Sequence, residues 1–392
     1  MLNEKMLRLG RERSAIRELF EYGNGRAQEI GRENVFDFSL GNPSIPAPAC
    51  VEQEIKRLLR DMPAQELHGY TSAAGDAQVR RAVASYIEGA FGVPMDGEHV
   101  YMTCGAAASL TIVLTALCEE GDEFVVIAPY FPEYRVFIEN AGGMVKAARA
   151  DKRFHLDMGS LDEAVTEKTK AVIINSPNNP AGTVYGENEL KELAALLEKK
   201  SAQKGAPIFL IADEPYRELT YGAAVPYPAA YYRDTIVCYS FSKSLSLAGE
   251  RIGYLAVSPQ CTGADDLFAA VCGAGRSLGF VCAPALFQRV CASCLGKSGD
   301  LSRYRENRDL LYNALRSFGY ECVEPEGAFY LFAKSPLPDA KVFCERAKKY
   351  ELLLVPSDSF GVEGYVRISY CVKRETIERS LPAFEKLIKE FE

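Results

Sequence analysis

The chain has no tryptophan and only three histidines, His68, His99 and His155, scattered without a partner pattern. That scarcity argues against a histidine-built zinc site and against a Ser-His-Asp triad, both of which need imidazoles in set arrangements. No apolar run approaches the ~18 residues needed to cross a membrane, so no spanning segment is expected. The N-terminal MLNEKMLRLGRERSAIRELFEYG is amphipathic and charged throughout, without the apolar stretch of a secretory signal. The 12 cysteines therefore read as reduced thiols in a cytoplasmic protein. Cys104, Cys238, Cys272, Cys282 and Cys371 sit among apolar neighbours, as small core residues do. Cys291 and Cys294 form one CxxC without a second pair, which gives a metal site little support. The net charge is -8 with the two signs interspersed, and no basic stripe speaks for nucleic acid. Any chemistry must come from Lys, Asp, Tyr, Arg or a bound cofactor.

What is present is the texture of a two-domain globular enzyme of 392 residues. Helical periodicity covers 51–60, 76–88, 106–118, 187–200 and 301–318. Short apolar runs alternate with these at 124–128, 171–175, 208–212, 235–239 and 252–257. Strands apolar on both faces and alternating with helices predict an α/β fold with a mostly parallel central sheet and helices on both faces. After about residue 288 the spacing changes, with further strand-like runs at 320–323, 352–355 and 365–369 and around Phe329-Tyr330-Leu331-Phe332. This predicts a large domain over 46–288, a smaller α+β domain over 289–392, and an N-terminal segment, 1–45, packing with the latter.

The strand tails are polar. FVVIAP runs into Tyr130-Phe131, AVIIN into Ser176-Pro-Asn-Asn-Pro-Ala-Gly182, IFLIA into Asp213-Glu-Pro-Tyr216, and TIVCY into Ser240-Phe-Ser-Lys243. Ligands of open α/β sheets bind beyond the carboxyl ends of the strands, so these tails are expected to converge. A lysine there, with Arg251 eight positions on, is pressed toward its neutral form, the form that attacks an aldehyde. Arg251, Ser240 and Ser242 suit a phosphate dianion. A surface lysine beside a structural arginine would look the same. Asp213 ends an apolar strand and needs a cation, of which a pyridinium nitrogen is one, or else it caps a loop. Tyr216 is close enough in sequence to reach the same ring's phenolic oxygen. Thr103-Cys-Gly105-Ala106-Ala107-Ala-Ser109 opens a helix with small residues that let backbone amides approach a phosphate, although many helices start so for packing alone. Gly296-Lys-Ser298 resembles the end of a P-loop but has Cys291 at its first glycine, and Gly273-Ala-Gly275 lacks a third glycine in step.

Taken in order, from Gly41-Asn-Pro to Arg367-Ile-Ser, these segments resemble the pyridoxal-phosphate-dependent class I/II aminotransferases of fold type I, the aspartate aminotransferase-like family. Ser240, Lys243 and Arg251 at family spacing carry the resemblance, with Asn179-Pro-Ala-Gly182 and Asp213-x-x-Tyr216. The resemblance implies that Lys243 binds the cofactor covalently and shuttles the substrate Cα proton. It implies that Asp213 faces the pyridine nitrogen, and that Tyr216 and Asn179 face the ring oxygen. Gly105, Ala106, Ala107, Ser240, Ser242 and Arg251 would form the phosphate cup, with Phe131 stacked on the ring. Arg367 would clamp the substrate α-carboxylate, with Gly41 closing over it. Tyr70 would reach the phosphate of a neighbouring subunit, which implies a homodimer. Arg276 lies where dicarboxylate-specific relatives can place a second arginine. Phe131 replaces a family tryptophan and Ala181 a threonine, which loosens the link to one substrate.

The implied activity is ping-pong transfer of an amino group between an L-amino acid, aspartate-like first and aromatic or alanine next, and a 2-oxo acid such as 2-oxoglutarate. A C–S β-lyase on the same scaffold is the alternative. A ligand-sensing regulator would carry a DNA-binding module, for which the chain has no spare length. A structural protein that had lost activity would not need Lys243, Asp213 and Arg251 together.

Overall fold

The computed structural model describes residues 2–11 and 15–391. Residues 1, 12–14 and 392, which fall in the expected N-terminal and C-terminal segments, lie outside the described residues. Among the described residues, twelve strands form three sheets: β1 (Phe36–Asp37), β2 (Val100–Thr103), β3 (Glu123–Ala128), β4 (Met144–Arg149), β5 (Thr169–Asn175), β6 (Phe209–Asp213), β7 (Thr235–Ser240), β8 (Gly253–Val257), β9 (Tyr330–Lys334), β10 (Leu352–Leu353), β11 (Val355–Pro356) and β12 (Tyr365–Ser369). The large sheet has the order β2-β8-β7-β6-β5-β3-β4, and only β8 runs against its neighbours. Alternation explains its two-sided burial. Val125, Ile127, Val172, Ile174, Leu210 and Val237 face one apolar cluster, while Phe124, Val126, Ala171, Ile173, Ile211 and Ile236 face another.

The five strand runs expected between residues 124 and 257 lie within one or two residues of β3, β5, β6, β7 and β8. β2 and β4 are additions. β4, MVKAAR, is an edge strand with exposed lysine and arginine, so its pattern is not that of a buried strand. The run at 320–323 is not a strand; Cys322 makes one isolated bridge to Ala333 before Glu324-Pro325, where proline cannot continue a ladder.

A third apolar cluster gathers around Phe329, Leu331, Phe343, Leu352, Val366 and Phe384, apart from the large sheet. β1 joins it by pairing parallel with β10, Phe36 opposite Leu352, and the residues after β1 reach Lys243 beyond the carboxyl end of β7. The helix Ala285–Ser293 crosses residue 288, where the change of texture had been placed. It packs on the helices Ala49–Asp61 and Ala77–Phe91, and Val290, Cys291 and Cys294 belong to the large sheet's cluster. The change of core therefore comes after residue 295, because an amphipathic helix follows the face that buries it. Among the described residues no helix is long and apolar enough to cross a membrane.

Candidate active site

The polar strand tails surround one cavity of about 280 Å³. Asp213, the last residue of β6, is 5% exposed. Its Oδ2 accepts a 2.5 Å hydrogen bond from Tyr134, and its Oδ1 has no partner among the described residues. Burial pushes the carboxyl pKa up to about 7, against the Tyr134 hydrogen bond, which lowers it. Asn175 locks the neighbouring tails together. Its Nδ2 donates to the Asp213 carbonyl at 2.8 Å, and its Oδ1 accepts from the Asn179 amide at 2.7 Å.

Lys243 stands on the turn of helix Phe241–Ser244 that follows β7. Ser240 caps that turn: its Oγ accepts from the Ser242 amide at 3.1 Å and donates to the Ser242 hydroxyl at 2.7 Å. The Lys243 amine opens into the cavity and donates to the Gly41 carbonyl at 2.6 Å. Burial lowers its pKa to about 8; Arg251 and Arg367 push the same way, and Cys371 opposes them. About one amine in ten is then neutral at pH 7, against fewer than one in a thousand for a free lysine.

One end of the cavity suits a multiply charged anion. Helix Ala106–Leu117 begins after Gly105, whose φ of +88° is the left-handed region that favours glycine. A Cβ on Gly105 would lie 2.9 Å from Arg251 Nη2, so glycine lets the guanidinium rest against the helix start, where backbone amides point outward. Arg251 itself has a left-handed backbone, φ 51°, and touches the Ala248 carbonyl at 3.1 Å and Ser242 Oγ at 3.4 Å. Ala106, Ala107, Ser240, Ser242 and Arg251 all line this end.

The other end is built by the C-terminal sheet. Arg367, on β12, is 2% exposed. Its Nη1 donates to Asn179 Oδ1 at 3.0 Å and its Nη2 to the Ser39 carbonyl at 2.6 Å, while Nε has no partner among the described residues. Rings of Tyr330 and Phe360 lie 4.6 and 5.3 Å from the guanidinium carbon. Tyr216 meets Tyr330 hydroxyl to hydroxyl at 2.9 Å. Phe131 lines the same cavity and packs edge-on against Tyr134.

Three expected site residues do not line the cavity: Gly105 lies behind the Arg251 guanidinium, and Tyr70 and Arg276 lie farther out. Tyr70 is 97% exposed. Arg276, in the last turn of helix Ala264–Leu278, is exposed and lines no part of the cavity. Others emerge only from the fold: Tyr134, Asn175, Tyr330, Phe360 and Ser39, together with Ile16 and Leu40 on the wall. Of these, Asn175 closes the AVIIN run and Tyr134 follows Phe131 by three positions, so both stand next to residues singled out in the sequence.

These residues fit pyridoxal phosphate. The unpartnered Asp213 Oδ1 and that residue's raised pKa call for a cationic N–H, which a pyridinium supplies. A buried amine that gives up its proton readily is suited to bind an aldehyde, and the Gly105–Arg251 end to bind a phosphate.

Residues 33–384 match the model of the family described as aminotransferase class I and II. A crystallised aminotransferase from Eubacterium rectale is 54% identical, with a TM-score of 0.97 over 100% of this chain and 99% of that one. The Thermus thermophilus aspartate aminotransferase solved with maleate superposes with a TM-score of 0.85 at 26% identity, over 99% of each chain. The aspartate aminotransferase of Thermotoga maritima is 30% identical over 362 residues, 91% of this chain and 92% of the relative. The chain belongs to the class I and II aminotransferases, the pyridoxal-phosphate-dependent transaminases of fold type I.

Proposed function

We propose that the protein moves amino groups between L-amino acids and 2-oxo acids in two half-reactions, with an aspartate-like dicarboxylate as donor and 2-oxoglutarate as acceptor. The meeting in one cavity of a pKa-lowered amine, Lys243, with a carboxylate that keeps one oxygen unpartnered, Asp213, carries this reading. The names of the relatives from Thermus thermophilus and Thermotoga maritima support the donor.

Pyridoxal phosphate bound here supplies an aldehyde and an electron-withdrawing ring that accepts the charge left at the substrate Cα. Asp213 holds the ring N–H through Oδ1, and Tyr134 keeps the other oxygen occupied. Tyr216 and Asn179 would donate to the ring's phenolic oxygen, and Phe131 would hold the ring by its apolar side chain. Arg251, Ser240, Ser242 and the amides following Gly105 hold the phosphate. Lys243, in its neutral form, would hold the aldehyde and would move the proton at the substrate Cα. Arg367 holds the α-carboxylate so that the Cα proton faces that amine. Tyr70, exposed on one chain, is assigned to the phosphate of a second copy, making the working protein a homodimer. The division into an N-terminal segment, a cofactor-holding unit and a smaller C-terminal unit is supported by the separate apolar clusters, with the second boundary moved beyond residue 295.

A second reading, a donor with an apolar or aromatic side chain, is favoured by the wall of Ile16, Leu40 and Phe131 and by the position of Arg276 outside the cavity. Borohydride treatment and peptide mapping of the loaded protein should find a pyridoxyl group on Lys243, and its absence ends the assignment. With 2-oxoglutarate as acceptor, kcat/KM for aspartate should exceed that for leucine and phenylalanine; the reverse order selects the second reading.

A further inference from the structure

Tyr330 has no part in the roles above, yet it touches three groups around the cavity. Its hydroxyl lies 2.9 Å from Tyr216 Oη, and its ring covers the Arg367 guanidinium. A Cβ on Gly41 would lie 2.0 Å from the Tyr330 oxygen, so a glycine is needed beside it. Tyr330 begins β9 in the C-terminal sheet, whereas Tyr216 follows β6 in the large one. The hydroxyl pair therefore joins the two elements at the cavity wall.

Proton counting makes the pair informative. Each phenol has one O–H to donate and lone pairs to accept with. Among the described residues neither hydroxyl has another hydrogen-bond partner, so two protons serve one contact. One proton is left to face the cavity that both residues line. Burial raises the pKa of both phenols, so each keeps its proton and can donate. Gly41 crowds the Tyr330 oxygen, where an added Cβ would lie 2.0 Å away, so the Tyr330 hydroxyl turns to Tyr216 and the proton left for the cavity is that of Tyr216.

We infer that Tyr330 is a positioning residue that donates its hydroxyl proton to Tyr216, leaving the Tyr216 proton for the cofactor's phenolic oxygen, while its ring holds Arg367 flat for the substrate carboxylate. This rests on the role proposed for Tyr216 and extends it. Receiving a hydrogen bond makes Tyr216 a stronger donor in turn, because chains of hydrogen bonds polarise one another. One side chain then serves both ends of the site, through its hydroxyl at the cofactor and its ring face at the carboxylate.

The test is an absorbance titration of the cofactor-loaded enzyme, whose midpoint falls as donation to the phenolic oxygen strengthens. Tyr330→Phe should raise that midpoint by about half a unit to one unit, the effect of losing one ordinary hydrogen bond. Tyr216→Phe should raise it further, and the double variant should match Tyr216→Phe alone, because the two hydroxyls act in series. Since phenylalanine keeps the ring over Arg367, KM for the amino acid should stay within about twofold in Tyr330→Phe and rise about tenfold in Tyr330→Leu. An unmoved midpoint in Tyr330→Phe, with Tyr216→Phe shifted, overturns the inference and leaves the Tyr216 role standing. Shifts that add in the double variant overturn it as well. If neither single variant moves the midpoint, the Tyr216 role fails and the inference with it. A KM raised equally by Tyr330→Phe and Tyr330→Leu would make the hydroxyl a substrate ligand instead.

Discussion

Arg367 and Arg251 stand at opposite ends of one cavity and are held in opposite ways. Arg367 is almost wholly buried, tied to Asn179 and the Ser39 carbonyl and covered by two rings. Arg251 is exposed, with one carbonyl contact and a long approach to Ser242. Under the proposed roles the contrast follows from the ligands. A substrate carboxylate arrives anew each half-turn and offers two oxygens, so its donor has to be oriented beforehand. A phosphate dianion remains bound and carries more charge and more acceptors, so it can order a looser guanidinium around itself.

The largest expected effect comes from removing the group between the two. Lys243→Ala should leave roughly a thousandth or less of the transfer rate, whichever arginine is intact, measured as single turnovers with a saturating amino acid. The same amine fixes a pH dependence. Burial lowers its pKa from 10.5 to about 8, so the protonated form dominates below pH 8 and the reactive neutral form above it. Capture of added pyridoxal phosphate by apoprotein should therefore quicken from pH 6 to about 8 and level off beyond; a flat profile would remove Lys243's lowered pKa from the account.

Arg367→Leu comes next. It should raise KM for the amino acid about a hundredfold while leaving the dissociation constant of the cofactor within about threefold, since an interaction with one charged group is lost at one end only. Arg251→Gln should do the converse and more weakly. Cofactor dissociation measured by fluorescence should strengthen about tenfold in rate, with KM unchanged once the site is saturated. Equal effects of the two substitutions on both quantities would erase the distinction between a preset clamp and a ligand-ordered one. Smallest of all, Arg276→Ala should change kcat/KM for aspartate by less than about twofold, because the side chain is exposed and outside the cavity. A large and aspartate-specific loss would show that a second copy of the chain carries this arginine into the site.

That Asp213, Tyr216, Ser240, Ser242, Lys243 and Arg251 share one cavity was legible in the linear chain, because these residues come in local groups. Ser240, Ser242, Lys243 and Arg251 lie within a dozen residues, and Asp213 and Tyr216 within four, so their spacing survives in the linear chain. The contacts between distant segments were harder to read. Tyr134 reaches Asp213 across 79 residues, Tyr330 reaches Tyr216 across 114, Lys243 reaches Gly41 across 202, and Arg367 reaches Ser39 across 328. No periodicity encodes such pairs. Edge strand β4 was missed for a related reason: its polar, half-exposed residues lack the continuous apolar run by which its neighbours were read.

By itself the sequence determined the alternation of strands and helices, the apolar character of both faces of the central sheet, and the chemical groups at the strand tails. These follow from side-chain period and turn chemistry, which act over a few residues. Tertiary structure alone decided which oxygen of Asp213 is left open, how far burial lowers the Lys243 amine, that Tyr330 meets both Tyr216 and Arg367, and that Arg276 lies outside the cavity of its own chain. Each of these depends on burial and on partners from distant segments. Desolvation and hydrogen-bond satisfaction are properties of a packed interior, and a linear chain does not yet have one.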